Sequence, residues 1–164
     1  VAWLDREAPP QGRALDVDCG YGDNAAELAR HGFDVTAFDV SATAVARARE
    51  RFGSLARFEV ADVAAPPEAW RGAFDLVVEI YTLQVLPAEA RPAVAGGLLA
   101  CLRPGGTLLV VCRGRDEDEP PAAAPPFTLT RAEVEAIGLP ARSFEDLVDA
   151  EDPPVRRFRV TLGR

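Results

Sequence analysis

At 164 residues the chain can bury a substantial core as one domain, and 48% hydrophobic with 27% charged residues is the balance of an ordinary globular protein. The formal net charge of −8, with no Lys anywhere, argues against a nucleic-acid partner, because phosphate contacts need clustered cations. No apolar run is long enough to span a bilayer and no basic-then-apolar leader is present, so no membrane partner is expected and the cytoplasm is the default location.

The predicted elements follow in order. Ala2–Glu7 reads as a short helix ended by Pro9 and Pro10, and Arg13–Val17 as the first strand. Asp23–His31 is a helix with Ala25, Ala26, Leu28 and Ala29 on its inner face, stopped by Gly32. Phe33–Phe38 is the second strand, and Ser41 caps a helix through Arg51. Ala56–Val60 and the buried-looking Phe74–Ile80 are the third and fourth strands. Pro87–Leu102 is a helix ending in the turn Arg103-Pro104-Gly105-Gly106, and Thr107–Cys112 is the fifth strand. A polar, proline-rich loop over 113–127 follows, with Arg113 and the acidic run Asp116–Glu119 reading as a solvated loop or a lid over a substrate. Thr130 and Glu133 predict a capping box for a helix ending near Gly138. Ala141–Val148 and Arg156–Leu162 are strand candidates joined at Asp152-Pro153-Pro154. This alternation predicts an α/β fold: a doubly wound, mostly parallel sheet with helices on both faces and an antiparallel last strand. Residues 1–164 are expected to form a single domain, whose leading segment is short or truncated.

The chemistry concentrates between residues 14 and 40. An apolar strand runs through Asp16 and Asp18 into Gly20-Tyr21-Gly22, a helix opens, and a second strand ends at Asp39. Glycines let a backbone approach a ligand closely, and a carboxylate 19 residues after Gly20 is placed to accept the two hydroxyls of a ribose. This is the layout of an adenosine-cofactor site. A dinucleotide fingerprint would carry a third glycine, whereas Asn24 and Ala25 stand in that region.

The run Leu15-Asp16-Val17-Asp18-Cys19-Gly20-Tyr21-Gly22 resembles the first motif of class I S-adenosylmethionine-dependent methyltransferases, in which an acid is followed by glycines at alternate positions. Asp18 departs from it, standing where the first glycine is expected. The element order resembles that family's core too, which implies strand order 3-2-1-4-5-7-6. The resemblance implies S-adenosyl-L-methionine as cofactor, with Asp16 orienting its ammonium, Gly20 and Gly22 making room, and Asp39 with Val40 at the ribose end. It also implies that Asp62 accepts from the adenine amino group while Val63 packs on the ring. Phe74–Tyr81 resembles the fourth motif, in which Glu79 orients the methionine portion or touches the substrate. Tyr81, with Tyr21 and Arg113, lines an acceptor pocket or, for Tyr81, packs under the next helix. Asp18 is expected to crowd the cofactor and repel its carboxylate, so that glycine there tightens binding.

No catalytic base is identifiable. His31, the only His, is explained by its place at a helix C-terminus. Cys19, Cys101 and Cys112 have neither paired nor metal-ligand spacing and read as reduced core residues, and no metal site is expected. The absence of a base favours a small-molecule acceptor already nucleophilic near neutral pH, such as a thiolate. Over Asp16–Asp39, the loop reaching Pro126-Phe127 and the helix that follows, the chain is similar to the tellurite-resistance and thiopurine methyltransferase-like groups. Two other readings stay open: a catalytically silent cofactor-binding domain, and an NAD-type oxidoreductase on a related sheet. Oligomeric state is not legible.

Overall fold

In the computed structural model, which describes residues 2–163, the apolar runs of the first half of the chain become parallel strands alternating with helices. Val1 and Arg164, included in the 1–164 reading, lie outside the described residues. After α1 (Ala2–Glu7) come β1 (Arg13–Val17), α2 (Asp23–Arg30), β2 (Asp34–Asp39), α3 (Ala42–Phe52), β3 (Arg57–Val60) and β4 (Phe74–Ile80). They are followed by α4 (Arg91–Cys101), β5 (Leu102–Arg113), α5 (Arg131–Glu135), β6 (Ala141–Val148) and β7 (Arg156–Gly163).

The seven strands lie in the order β3-β2-β1-β4-β5-β7-β6, as expected. The first five pair in parallel, and β7 runs antiparallel between β5 and β6. The chain moves outward from β1 to β3, then returns to place β4 on the other flank of β1. That reversal opens a crevice beyond the carboxyl ends of β1 and β4, where open α/β sheets hold ligands.

Strand alternation splits the core between the two faces. Ala14, Val35, Ala37, Leu76, Val78 and Leu109 pack toward α2 and α3, while Leu15, Val17, Val77, Leu108 and Val110 pack toward α4 and α5. Both predicted caps are present. Ser41 Oγ accepts from Ala44 N at 3.2 Å, and Thr130 with Glu133 forms the reciprocal capping box.

Several boundaries differ from the sequence reading. α4 begins after the expected Pro87, because Pro87–Ala90 closes as a turn (Ala90 N to Pro87 O, 3.0 Å) and Pro92 suits the first helical turn. β5 begins directly after α4, and the Arg103–Gly106 turn is taken up inside it as an irregularity in its pairing with β4. α5 stops short of Gly138 because its end tightens: Ile137 and Gly138 bond to carbonyls three residues back. Two single-turn helices, Glu68–Trp70 and Leu83–Val85, carried no recognisable sequence signal. The first seats Trp70 against Phe38 and Phe74, with ring centroids 5.2 Å and 6.3 Å away.

The acidic loop is exposed to solvent over residues 116–125 and is tied down at several points. Asp116 pairs with Arg156, Glu117 accepts the Ala132 N–H at the start of α5, and Glu119 O accepts from Arg115. Phe127 N donates to Gln84 O.

Candidate active site

The glycine turn after β1 is built by positive φ angles at Asp18 (50°), Gly20 (52°) and Gly22 (87°). The two glycines do different things. A Cβ on Gly20 would meet nothing within 4 Å, so there the need is conformational and the space beyond is open. A Cβ on Gly22 would come within 2.9 Å of the Phe58 ring and 3.1 Å of Ala48 Cβ. Gly22 therefore lets the turn pack on α3 and β3. That corrects its expected part in making room for a ligand.

Asp39 at the end of β2 spans the turn. Its Oδ2 accepts from Gly20 N at 2.9 Å and its Oδ1 from Ser41 N at 2.8 Å. Each oxygen keeps a further lone pair on a half-exposed side chain. Val40 beside it is 62% exposed, an apolar shelf next to a carboxylate.

Two further acids at the same end of the sheet each have a buried oxygen without a partner, Asp16 Oδ2 and Glu79 Oε2, while the buried Asp18 Oδ1 has the Thr82 hydroxyl beside it. Asp16 is 1% exposed and Glu79 fully buried. Burial is the main cause that pushes Asp16 up to about 7, with the Ala25 N–H opposing and Asp18 and Asp39 adding to the rise. Glu79 also rises to about 7 by burial, although its Oε1 accepts from Thr82 N (2.6 Å) and Leu83 N (3.0 Å). Asp18 is pushed up to about 6 by burial, then by the charge of Asp39. No Arg contributes to any of these shifts. Buried carboxyl oxygens left without a partner leave acceptor capacity unused at this end of the sheet.

The remaining predicted residues divide. Asp62 is exposed, with Oδ1 accepting from Ala64 N at 2.8 Å. Val63 is only 3% exposed and its Cγ2 lies against Gly97 of α4, so it is a core side chain. The expected packing of the Val63 side chain on a ligand ring is corrected on that ground. Tyr21 is 59% exposed at the tip of the glycine turn. Tyr81 holds a positive φ of 71° and its ring lies 5.1 Å from the Arg157 guanidinium carbon, so it does not simply pack under the next helix. Arg113 N donates to Gln84 Oε1 at 2.6 Å, and its half-buried side chain forms no ion pair among the described residues.

Sequence reasoning missed a cavity of about 230 Å³ between α1, α2 and the sheet, lined by Trp3, Leu28, Ile80, Val111 and Arg157 among others. It borders the crevice: Ile80 follows Glu79, and Asn24, also in its wall, belongs to the helix that opens from Gly22. Its wall is assembled from six elements far apart in the chain, so no local signal could reveal it.

His31 lies away from this region, at the α2 terminus opposite the crevice, bonded to Glu27 O (2.8 Å) and Asp5 (3.1 Å). The three cysteines are free and buried. Burial pushes the Cys19 thiol up to about 12 and Cys101 to about 11, and raises Cys112 further. None is a nucleophile at neutral pH.

The sheet order, with a glycine turn after β1 and an acid at the end of β2, defines a doubly wound α/β protein whose crevice lies beyond the carboxyl ends of β1 and β4. Residues 14–106 match the family model described as a methyltransferase domain. The chain belongs to that methyltransferase family, and is a class I, S-adenosylmethionine-dependent member. It is 28% identical to thiocyanate methyltransferase 1 of Arabidopsis thaliana over 170 aligned positions, which take in 100% of this chain and 73% of the relative. It is 32% identical to a carboxy-S-adenosyl-L-methionine synthase of Aeromonas salmonicida over 127 positions, 70% of this chain and 49% of the relative. In fold it is similar to a SAM-dependent methyltransferase from Methanosarcina mazei, with TM-score 0.85 at 17% identity, covering 100% of this chain and 97% of that one.

Proposed function

We propose that this enzyme methylates a small, soft, anionic acceptor of the thiolate or thiocyanate type. The observation that carries the reading is the position of the only histidine. It sits at the far end of α2, bonded to Glu27 O and Asp5, and the three thiols are buried in their neutral form. With no His or Cys base at the crevice, an acceptor that arrives already ionised suits the site best. The thiocyanate methyltransferase relative supports the same class.

The residues fit the cofactor. Asp39 has free lone pairs for a vicinal diol and Val40 an exposed apolar face for the adenosine portion. Asp62, exposed nearby at the end of β3, has its second oxygen available for an amino group. The backbone at Gly20 gives close approach. Asp16 and Glu79, with their partnerless oxygens, would hold the ammonium end. When bound, the cofactor supplies an electrophilic methyl whose bond to sulfur breaks with its electron pair staying on sulfur, as the acceptor's lone pair forms the new bond. The chain's own work is alignment and exclusion of water. The cavity beside Ile80 and Val111 offers an apolar chamber with Arg157 and Arg159 in its wall to attract an anion; the Tyr81 ring stacks on Arg157, and Arg113 follows Val111 by two residues on β5. We read residues 1–164 as one such domain, acting in the reducing cytoplasm that suits three free thiols, with neither nucleic acid nor membrane as partner. Among the described residues no helix is long and apolar enough to cross a membrane.

The test is turnover of S-adenosylmethionine with a panel of thiols, thiocyanate, phenols and amines. Methylation of the sulfur acceptors, with Arg113→Ala raising KM for anionic ones about tenfold, is expected. Exclusive methylation of amines or phenols overturns the acceptor class.

A further inference from the structure

On the other face of the sheet, a second cavity of about 250 Å³ lies between the turn after β4, α4 and α5. Its floor is apolar: Leu83, Leu129 and Ile137 are buried side chains, and Ala95 of α4 and Ala136 stand at its sides. Two charged residues, Arg91 and Glu133, share the wall. Arg91 is held in place by three hydrogen bonds. Its Nε donates to the carbonyls of Leu83 and Leu86 (3.2 Å each), and its Nη1 donates to Glu133 Oε1 (2.8 Å). Its Nη2 has no partner among the described residues. Glu133 is engaged at both oxygens, since Oε2 accepts from Arg115 Nη2 and Thr130 N at 2.8 Å each.

The Arg91 and Arg115 side chains are only 13% and 11% exposed, and Glu133 is the one acid that pairs with either among the described residues. Glu89, two residues before Arg91, is exposed and pairs with neither. Two largely buried guanidinium groups therefore share one carboxylate. One positive charge is left without a counter-ion beside an apolar hollow, in a chain whose net charge is −8. A charge held out of water without a counter-ion is costly, and a bound anion offsets that cost. The free corner of a fixed guanidinium suits a carboxylate, and the apolar floor suits hydrocarbon. We propose that this cavity binds a small monocarboxylate with an apolar body, its carboxylate on Arg91 Nη2 and its body against Leu129, Ile137 and Ala95. A neutral amide would use the free N–H groups and leave the charge unanswered. A doubly charged phosphate would exceed the single charge available and gain nothing from the apolar wall. Leu83 joins the cavity to the crevice, since its N–H donates to Glu79 Oε1 at 3.0 Å. The site is independent of the acceptor class proposed above.

Heteronuclear NMR titration of the full chain tests this, with phenylacetate, phenylacetamide and acetate as probes at constant ionic strength. The proteins are wild type, Arg91→Gln and Ala136→Leu. Phenylacetate is expected to shift the Ala95 and Ala136 amides of wild type saturably, with a Kd at least about tenfold below those of phenylacetamide and acetate. The same Kd is expected with saturating S-adenosylhomocysteine present, which keeps the crevice occupied. Both variants are expected to raise the phenylacetate Kd about tenfold. Ala136→Leu fills the hollow and leaves the Arg91–Glu133 pair intact, so it decides the matter if Arg91→Gln fails to fold. Four results overturn the proposal: equal affinity for phenylacetate and its amide, loss of phenylacetate binding when S-adenosylhomocysteine is present, an Ala136→Leu variant that binds as wild type does, and no saturable shift up to about 10 mM probe.

Discussion

At the scale of single residues, the site reuses its ligand groups as structural ones. Asp39 is expected to bind a diol, yet it also ties Gly20 N and Ser41 N. Asp39→Ala should therefore weaken S-adenosylhomocysteine binding at least tenfold, about 1.5–3 kcal/mol, while the fold persists. Calorimetry alongside circular dichroism checks this; unchanged affinity removes Asp39 from the site. Asp16 presents the opposite trade. Its carboxyl is forced into a buried position with one oxygen partnerless, a cost to the ligand-free fold. Asp16→Asn keeps an acceptor for the Ala25 N–H and removes the charge. It is expected to raise the melting temperature of the ligand-free protein at pH 8 while weakening S-adenosylmethionine binding about tenfold or more. A variant that loses both stability and affinity would show that Asp16 is simply part of the core. Asp16, Gly20 and Asp39 could be named as candidates because each falls at a fixed offset in a local strand–turn–helix unit. Val63 and Gly22 were misjudged because what a side chain, or its absence, faces depends on α3, α4 and β3, which the local sequence does not place.

At the scale of elements, one carboxylate organises the region after β5. Glu133 closes the α5 capping box and also pairs with Arg91 and Arg115 at 2.8 Å each, two guanidinium groups that are largely buried. Removing it leaves a helix start without its cap and two arginines without their counter-ion. Glu133→Ala should cost about 2–4 kcal/mol in urea unfolding, whereas Glu135→Ala, which frees only the exposed Arg131, should cost under about 1 kcal/mol. Equal small effects would mean that the three-residue cluster holds nothing. The capping box itself was readable from Thr130 and Glu133. The ion pairs were not, because Arg91 and Arg115 lie 42 and 18 residues away along the chain. The same applies to the acidic run: in sequence it has the composition of an open loop, and in the fold its acids meet Arg156 from β7 and the N-terminus of α5.

At the scale of the molecule, the crevice sets the pH dependence. Asp16 and Glu79 rise from 3.8 and 4.5 to about 7, and Asp18 from 3.8 to about 6. In the unfolded chain these groups are already ionised above about pH 5, so between there and 7 the folded state binds more protons. Stability of the ligand-free protein must then fall as pH rises through that window, and the loss is complete above 7. Asp23, Glu145 and Asp146 are shifted down by their arginine partners, so their contribution is present above their ordinary pKa and lost on acidification below it. The ligand-free melting temperature should therefore peak at about pH 5 and decline toward 8. A cationic ligand should flatten that decline by favouring the ionised crevice. A melting temperature that climbs steadily from pH 5 to 8 without ligand contradicts the buried, partnerless state of these acids.

The sequence by itself determined the alternation of strands and helices and the layout of an adenosine-type site, which rest on hydrophobic period, turn residues and spacings that act within one βα unit. The strand order and S-adenosylmethionine followed from its resemblance to the class I methyltransferases. The tertiary structure decided what each of those residues faces. What Gly22 packs against and where a cavity lies depend on groups brought together from distant strands. Burial and unshielded charge arise only when those groups meet, and in this protein they bring acids scattered along the chain together and push Asp16 and Glu79 up to about 7.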